Sequence, residues 1–389
     1  MTTTYATPES SQAPVRGGRW NVRPKDENFT TVDAMIERLE HRRHASQELI
    51  YAGKDLRVAY DRDGELFLTK DGNHWDYGDV ALTHRAAGQL AGHFEPRPPM
   101  AYLRALPISM VGLLYQLGLD TDRTDHKFLV VPEGRVPGDP SGYGELRAVT
   151  GVGSYGRIWD FEVAEKVAQF ARQGEFTVEG VEWTDKYGHQ HSRTGRLAAS
   201  DTGMAMTLIS GKKFEDGMGG SFARGITVWN AEDGSKSIGG AMFCLDFACT
   251  NRAFLGESKL EQFRFRHTTN APEKFRREYL PQLEAFATYD MAGFTEAVRK
   301  AKTTRVGESV ADLEKWLVEV GQFQQHRVRE ALVLARAETG QEPQTVWDAL
   351  YGLTAVARDL PNADSRLELE QDASLTRLLS LVPVGRARA

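Results

Sequence analysis

The residues with the clearest chemical character lie in one short stretch, Phe263-Arg264-Phe265-Arg266-His267, where phenylalanine and arginine alternate strictly. Successive side chains of a strand point to opposite faces, so this spacing predicts both phenylalanines on one face and both arginines on the other. From Asn251 to Leu280 seven basic residues (Arg252, Lys259, Arg264, Arg266, Lys274, Arg276, Arg277) stand against four acidic ones (Glu257, Glu261, Glu273, Glu278), a local +3 in a chain of formal net charge -6. Phe263, Phe265, Phe275 and Tyr279 are interleaved with them. Such a composition holds single-stranded nucleic acid, the cations on phosphates and exposed rings on bases. The candidate nucleic-acid-binding set is therefore Arg264, Arg266, His267, Arg276 and Arg277, with Lys212, Lys213 and Arg224 joining from neighbouring turns. The competing reading is a plain structural strand, its phenylalanines in a core and its arginines paired with nearby glutamates.

No catalytic constellation matches this stretch in specificity. The chain has no phosphate-binding loop of the G-x-x-x-x-G-K-[ST] type, no H-E-x-x-H and no nucleophile elbow, so no catalytic residue, metal ligand or cofactor is assigned. Gly151-Val152-Gly153-Ser154-Tyr155-Gly156 is a formal G-x-G-x-x-G match after an apparent strand. In the dinucleotide fingerprint the helix opens inside the glycines, whereas here Arg157, Ile158 and Trp159 precede a natural cap at Asp160, so a simple strand-to-helix turn is expected. His189 with His191, and His41 with His44, read as surface histidines, and Asp201 and Asp216 as ordinary turn acids. A hydrolase using Asp201 and His267 would need the two to converge in a cleft.

The elements that must position these groups are legible as punctuation. Between Leu197 and Asn270 apolar runs are cut by Gly, Asp and Asn clusters, and Glu232-Asp233-Gly234-Ser235 marks a tight turn between two runs rich in β-formers, so a sheet folding back on itself is predicted. Upstream, Met1 to Asn28 reads as a flexible arm in which Trp20 is the one docking candidate, and Thr30 to Leu49 reads as a helix with Thr30 and Asp33 as its cap. Asp61-Arg62-Asp63-Gly64 predicts a hairpin between Leu56 to Tyr60 and Glu65 to Thr69, and Val80 to His93 has helical spacing. After Pro272 helical spacing dominates to Leu381. The fold class is thus α+β: a central, mostly antiparallel sheet with flanking helices and a helical C-terminal third. The expected divisions are an arm (1–28), a helix with a small β-module (29–79), an α+β core (80–270) and a helical region packed on that core (271–389).

The bulk numbers agree with an ordinary globular chain. It has 389 residues, 41% hydrophobic and 26% charged. A net charge of -6 argues against a generally basic nucleic-acid coat, while leaving room for a local basic face. With only Cys244 and Cys249, no signal-like stretch and no apolar run able to span a bilayer, a cytoplasmic protein with packed, unpaired cysteines and no membrane partner is expected.

Several segments together resemble a family. Ser200-Asp201 before an apolar strand, Arg224-Gly225-Ile226-Thr227-Val228-Trp229-Asn230, Gly234-Ser235, Phe247-Ala248-Cys249-Thr250-Asn251, Arg264 to Thr268 and Ala271-Pro272-Glu273-Lys274-Phe275 follow in an order that resembles the phage/plasmid-like proteins of domain-of-unknown-function family 932. Gln89-Leu90-Ala91, Tyr102-Leu103, the Tyr155 to Phe161 segment and Trp347 to Thr354 extend the likeness over roughly Val80 to Arg358. Thr202-Gly203-Met204 departs from it, standing where a charged pair and an aromatic residue belong. The resemblance implies a phage or plasmid gene in a bacterial cell and carries no catalytic residues. The expectation built on it is a DNA-metabolism accessory that binds single-stranded DNA, works as a homo-oligomer and promotes annealing. The alternative is a non-catalytic interaction or virion-associated assembly component.

Overall fold

The computed structural model describes residues 18–69, 77–132, 142–173, 176–178, 181–184, 190–193, 196–200, 202–247, 252–254 and 262–382. Two compact units emerge. The first comprises Met1–Pro24, His41–Tyr155 and Asp233–Ser235, the second Lys25–Glu40, Gly156–Glu232 and Lys236–Ala389. The chain is α+β, as its punctuation predicts, but the divisions differ from the expected ones.

Strand β1 (Glu27–Phe29) and helix α1 (Val32–Ala45) come first. Thr31, one residue after the predicted cap, accepts the Ala34 N–H at 3.2 Å, and the helix ends before Gln47 to Leu49, which are strand. The arm is not free from residue 18 onwards. Trp20 is only 2% exposed in the first unit's core, its indole N–H donating to the Gly64 carbonyl at 2.9 Å, and β1 is a paired strand of the second unit.

In the first unit β2 (Gln47–Ala52), β3 (Val58–Tyr60), β4 (Leu66–Leu68) and β5 (Val80–Leu82) lead to helices α2 (His84–Ala91), α3 (Met100–Ala105) and α4 (Ile108–Thr121), then β6 (Asp125–Val131) and β7 (Gly144–Gly151). The sheet order is β2-β6-β7-β5-β4-β3, with β5 and β7 its parallel neighbours. Val80 to Leu82, expected as the start of a helix, is therefore a strand; all three residues are buried, and Thr83 caps the helix behind it by accepting the Ala86 N–H. Pairing of β5 with both β4 and β7 also removes the expected boundary between residues 79 and 80. The core sets Leu66, Val80, Leu82, Phe128 and Leu146 against Leu90, Val111, Tyr115 and Leu119.

The second unit continues with α5 (Asp160–Gln173), β8 (Phe176–Thr177), β9 (Val181–Thr184), β10 (Gln190–Arg193), β11 (Arg196–Ala199), β12 (Met204–Glu215), β13 (Ser221–Asn230), β14 (Ile238–Asp246), β15 (Arg252–Phe254) and β16 (Gln262–Phe265). Seven helices follow: α6 (Ala271–Ala287), α7 (Ala292–Thr303), α8 (Val310–Glu319), α9 (Gln325–Thr339), α10 (Val346–Asp359), α11 (Ala363–Asp372) and α12 (Leu375–Ser380). The main sheet is antiparallel, β1-β11-β12-β13-β14-β15, with β8 also on β12 and β16 also on β14. Period two sorts its residues: Met206, Ile226, Val228, Met242, Phe263 and Phe265 enter the large core with α5, α6 and α10, while Trp229, Phe243 and Leu245 lie in a smaller cluster that includes Leu367 of α11.

Three glycines of this sheet oppose aromatic residues in register. Gly225 pairs with Phe243, Gly239 with Trp229 and Gly240 with Phe263. A β-carbon at Gly225 would lie 2.0 Å from the Phe243 ring, at Gly239 2.4 Å from Trp229 and at Gly240 2.7 Å from Phe263, so each ring fills the space its glycine leaves. The predicted turn is present too, with Gly234 at φ 79°.

Candidate nucleic-acid interface

The predicted alternation is observed, and its two faces have different fates. Phe263 and Phe265 are buried together, 5.6 Å between ring centroids, with Tyr279 5.4 Å from Phe263 and Phe275 4.9 Å from Tyr279. All four rings belong to the core. The competing reading holds for the rings, and none of the four is left exposed to stack on bases: helix α6 lays its apolar stripe over β16 and takes every one of them.

The cations lie on the outside. Arg264, Arg266, Lys274 and Arg277 line one groove of 410 Å³ with Thr268, Asn270 and Glu273. Strand β16 and the residues after it supply one wall, and the first turns of α6 the other. Lys274 and Arg277, three apart, share a helix face. Arg264 donates to the Gln371 side-chain oxygen at 2.9 Å and lies 6.0 Å from the Trp229 ring centroid. The Lys274 ammonium sits 4.6 Å from the Phe265 ring centroid and 3.8 Å from Glu278. Arg277 meets Glu278 at 2.7 Å and Glu273 at 3.9 Å, and the hydrogen bond between Arg277 and Glu278 holds the arginine above and the glutamate below their ordinary values. The Arg266 side chain makes no ion pair or hydrogen bond among the described residues.

The rest of the predicted set disperses. Arg276 is exposed on α6 but, one position before Arg277, does not line the groove. Lys212 and Lys213 sit at the far end of the sheet: Lys213 pairs with Ala223, which pairs with Leu245, whereas Arg264 pairs with Gly239. Gly239 and Leu245 stand about 20 Å apart along β14. Lys213 instead covers the Phe247 ring at 4.6 Å. Arg224 is committed to structure, donating to the carbonyls of Ala287 and Tyr289 at 2.7 and 3.3 Å and so capping the carbonyl end of α6. His267 is buried beside the Gly156 carbonyl, 3.3 Å from Nδ1, and burial lowers its pKa to about 4. It stays neutral at pH 7 and does not join the exposed cations.

Other candidates resolve similarly. Asp201, His189 and Cys249 lie outside the described residues, as does the His191 side chain. The hydrolase pairing therefore has a buried, neutral His267 on one side and an undescribed residue on the other. Asp216 accepts from Lys302 at 2.5 Å and from the N–H groups of Met218 and Gly220, and its pKa is lowered by those bonds against the opposing effect of burial. Cys244 is buried and unpaired. The G-x-G-x-x-G segment does not make a dinucleotide fingerprint. Helix α5 begins at Asp160, and a buried glutamate, Glu232, already occupies that helix start by accepting the Asp160 N–H at 3.1 Å. Among the described residues no group of three His, Cys, Asp or Glu side chains is placed to hold a metal ion.

Set against protein-family models, curated proteins and solved structures, the chain matches none of them. Among the described residues no helix is long and apolar enough to cross a membrane.

Proposed function

We propose that this chain is a phage- or plasmid-type DNA-metabolism accessory, of the kind its resemblance to family 932 suggests, that binds single-stranded nucleic acid by its phosphate backbone. The observation that carries this reading is the groove gathering Arg264, Arg266, Lys274 and Arg277. A groove of this size admits one backbone, which the guanidiniums grip by charge-assisted hydrogen bonds, while the bases point away from a groove that exposes no stacking ring among the described residues. Binding of this kind tolerates any sequence and weakens with salt. Fluorescent oligonucleotides titrated at two salt concentrations test it: wild-type protein binds the single strand at low salt, Arg264→Ala/Arg266→Ala binds it weakly, and Lys212→Ala/Lys213→Ala is unaffected. No salt-sensitive binding by the wild type overturns the reading.

A second reading, assembly with another copy of the chain, is favoured by one observation in the first unit. Met110, Leu113 and Leu117 of α4 are 46%, 62% and 59% exposed, spaced to form one apolar stripe, with Tyr102 of α3 likewise exposed. In sedimentation, wild-type self-association lost in Leu113→Lys/Leu117→Lys supports it, and a wild-type monomer at all concentrations rejects it.

A further inference from the structure

We infer that the first unit carries a second, separate anion site, a cleft between α2 and the glycine-rich end of β7 that takes a phosphate monoester.

The cleft holds 380 Å³ and is lined by Arg85, His93, Arg97, Thr150 and Ser154 among others. Its floor is fixed by Gln89, whose side-chain oxygen accepts the Val149 N–H at 2.9 Å and whose amide donates to the Asp233 carbonyl at 2.8 Å. Arg85, in the first turn of α2, is oriented by the buried Asp233 carboxylate 3.5 Å away and remains one-third exposed towards the cleft. Arg97 faces it from the segment after α2 and has no ion pair among the described residues. His93 stands against His126, 4.2 Å between ring centroids, and His126 is in turn held by Asp122 at 2.6 Å.

The last two residues of β7 and the turn after them complete the cleft. Thr150 is only 7% exposed, lines the cleft, and its hydroxyl has no hydrogen-bond partner among the described residues. A buried hydroxyl left without a partner marks a place where something else supplies one. Gly153 has φ 77°, which L side chains rarely adopt, and the turn it makes returns Ser154 so that its hydroxyl lies 2.5 Å from where a β-carbon on Gly151 would be. Thr150 and Ser154 on one wall and Arg85 and Arg97 on the other therefore line a single cleft, with His93 beside them. A tetrahedral dianion has oxygens enough for both walls, whereas a planar carboxylate presents only two. The motif that fails as a dinucleotide fingerprint is thereby used: it shapes the turn that closes one wall of the cleft.

Calorimetric titration of the full chain tests this with inorganic phosphate, adenosine 5′-monophosphate, adenosine, and one oligonucleotide with either a 5′-phosphate or a 5′-hydroxyl end. We expect inorganic phosphate or adenosine 5′-monophosphate to bind with a Kd below about 1 mM, adenosine not to bind, and, in the Arg264→Ala/Arg266→Ala protein, the 5′-phosphate oligonucleotide to bind more tightly than its 5′-hydroxyl counterpart if the natural source is a nucleic-acid terminus. Arg97→Gln, an exposed substitution, weakens that binding about tenfold, and Thr150→Val, which keeps the volume, weakens it about fivefold. Arg264→Ala/Arg266→Ala leaves the binding of inorganic phosphate and adenosine 5′-monophosphate unchanged, so this site and the groove of the second unit fail independently. The inference is overturned if neither inorganic phosphate nor adenosine 5′-monophosphate binds, or if their binding survives both Arg97→Gln and Thr150→Val in proteins with wild-type melting temperature.

Discussion

Removal of the two arginines around the end of β16 should change the salt dependence of oligonucleotide binding more distinctively than its affinity. Each neutralised phosphate of a single strand contributes a slope of about -0.7 to log K against log salt. The four groove cations are unequal: Arg277 and Lys274 already lie beside Glu278 and Glu273, and must trade a carboxylate for a phosphate. Arg264 trades its bond to the neutral Gln371 amide, and the Arg266 side chain has no hydrogen bond or ion pair among the described residues, so Arg266 has no carboxylate to give up. The slope is then about -1.4 if only the two arginines engage and about -2.8 if all four do. Between 50 and 200 mM salt the affinity falls about 7-fold in the first case and about 50-fold in the second. Arg264→Ala/Arg266→Ala should flatten the slope by about 1.4 whichever case holds. Fluorescence anisotropy at four salt concentrations measures this directly. A slope unaltered in the double variant, or flattened equally by Lys212→Ala/Lys213→Ala, refutes the assignment of the groove.

His267 gives a pH signature. Burial lowers its pKa to about 4 from 6.5, so between those values the unfolded chain binds the extra proton; its contribution is intact above pH 6.5 and lost as pH falls to 4. The loss amounts to about 3 kcal/mol, and urea melts of His267→Gln across that range should lack it; an identical pH profile in the variant refutes the assignment. Trp20→Ala should cost about 3–5 kcal/mol, although the residue lies in a segment read as a flexible arm, and a midpoint shift too small for even 1 kcal/mol would show that Trp20 does not anchor it.

The alternating residues were legible because a strand's period is two whatever surrounds it, and the helical face of Lys274 and Arg277 follows from spacing alone. That α6 would spread itself over β16 was not legible. A ring in a basic stretch looks the same in sequence whether it faces water or a core, and only the partner helix decides. Arg224 was misjudged for a related reason, since the carbonyls it satisfies end a helix far along the chain. Val80 to Leu82 is buried on both sides, and a short continuous apolar run before a helix cannot be divided by periodicity. The first unit's cleft joins Arg85 to Thr150, residues that no local pattern connects.

The glycine and aromatic pairs of the second unit's sheet bear on how this sequence can change over generations. Gly225 with Phe243, Gly239 with Trp229 and Gly240 with Phe263 each share one volume between two strands. A side chain gained on the glycine strand is tolerated only if its partner loses a ring, so these positions should be inherited as couples. Among descendants of this chain, shrinkage of the aromatic residue should come before or together with loss of the glycine. A slip of one residue between β13 and β14 would bring rings against other side chains, so the same couples record the strand alignment in a form that selection can read.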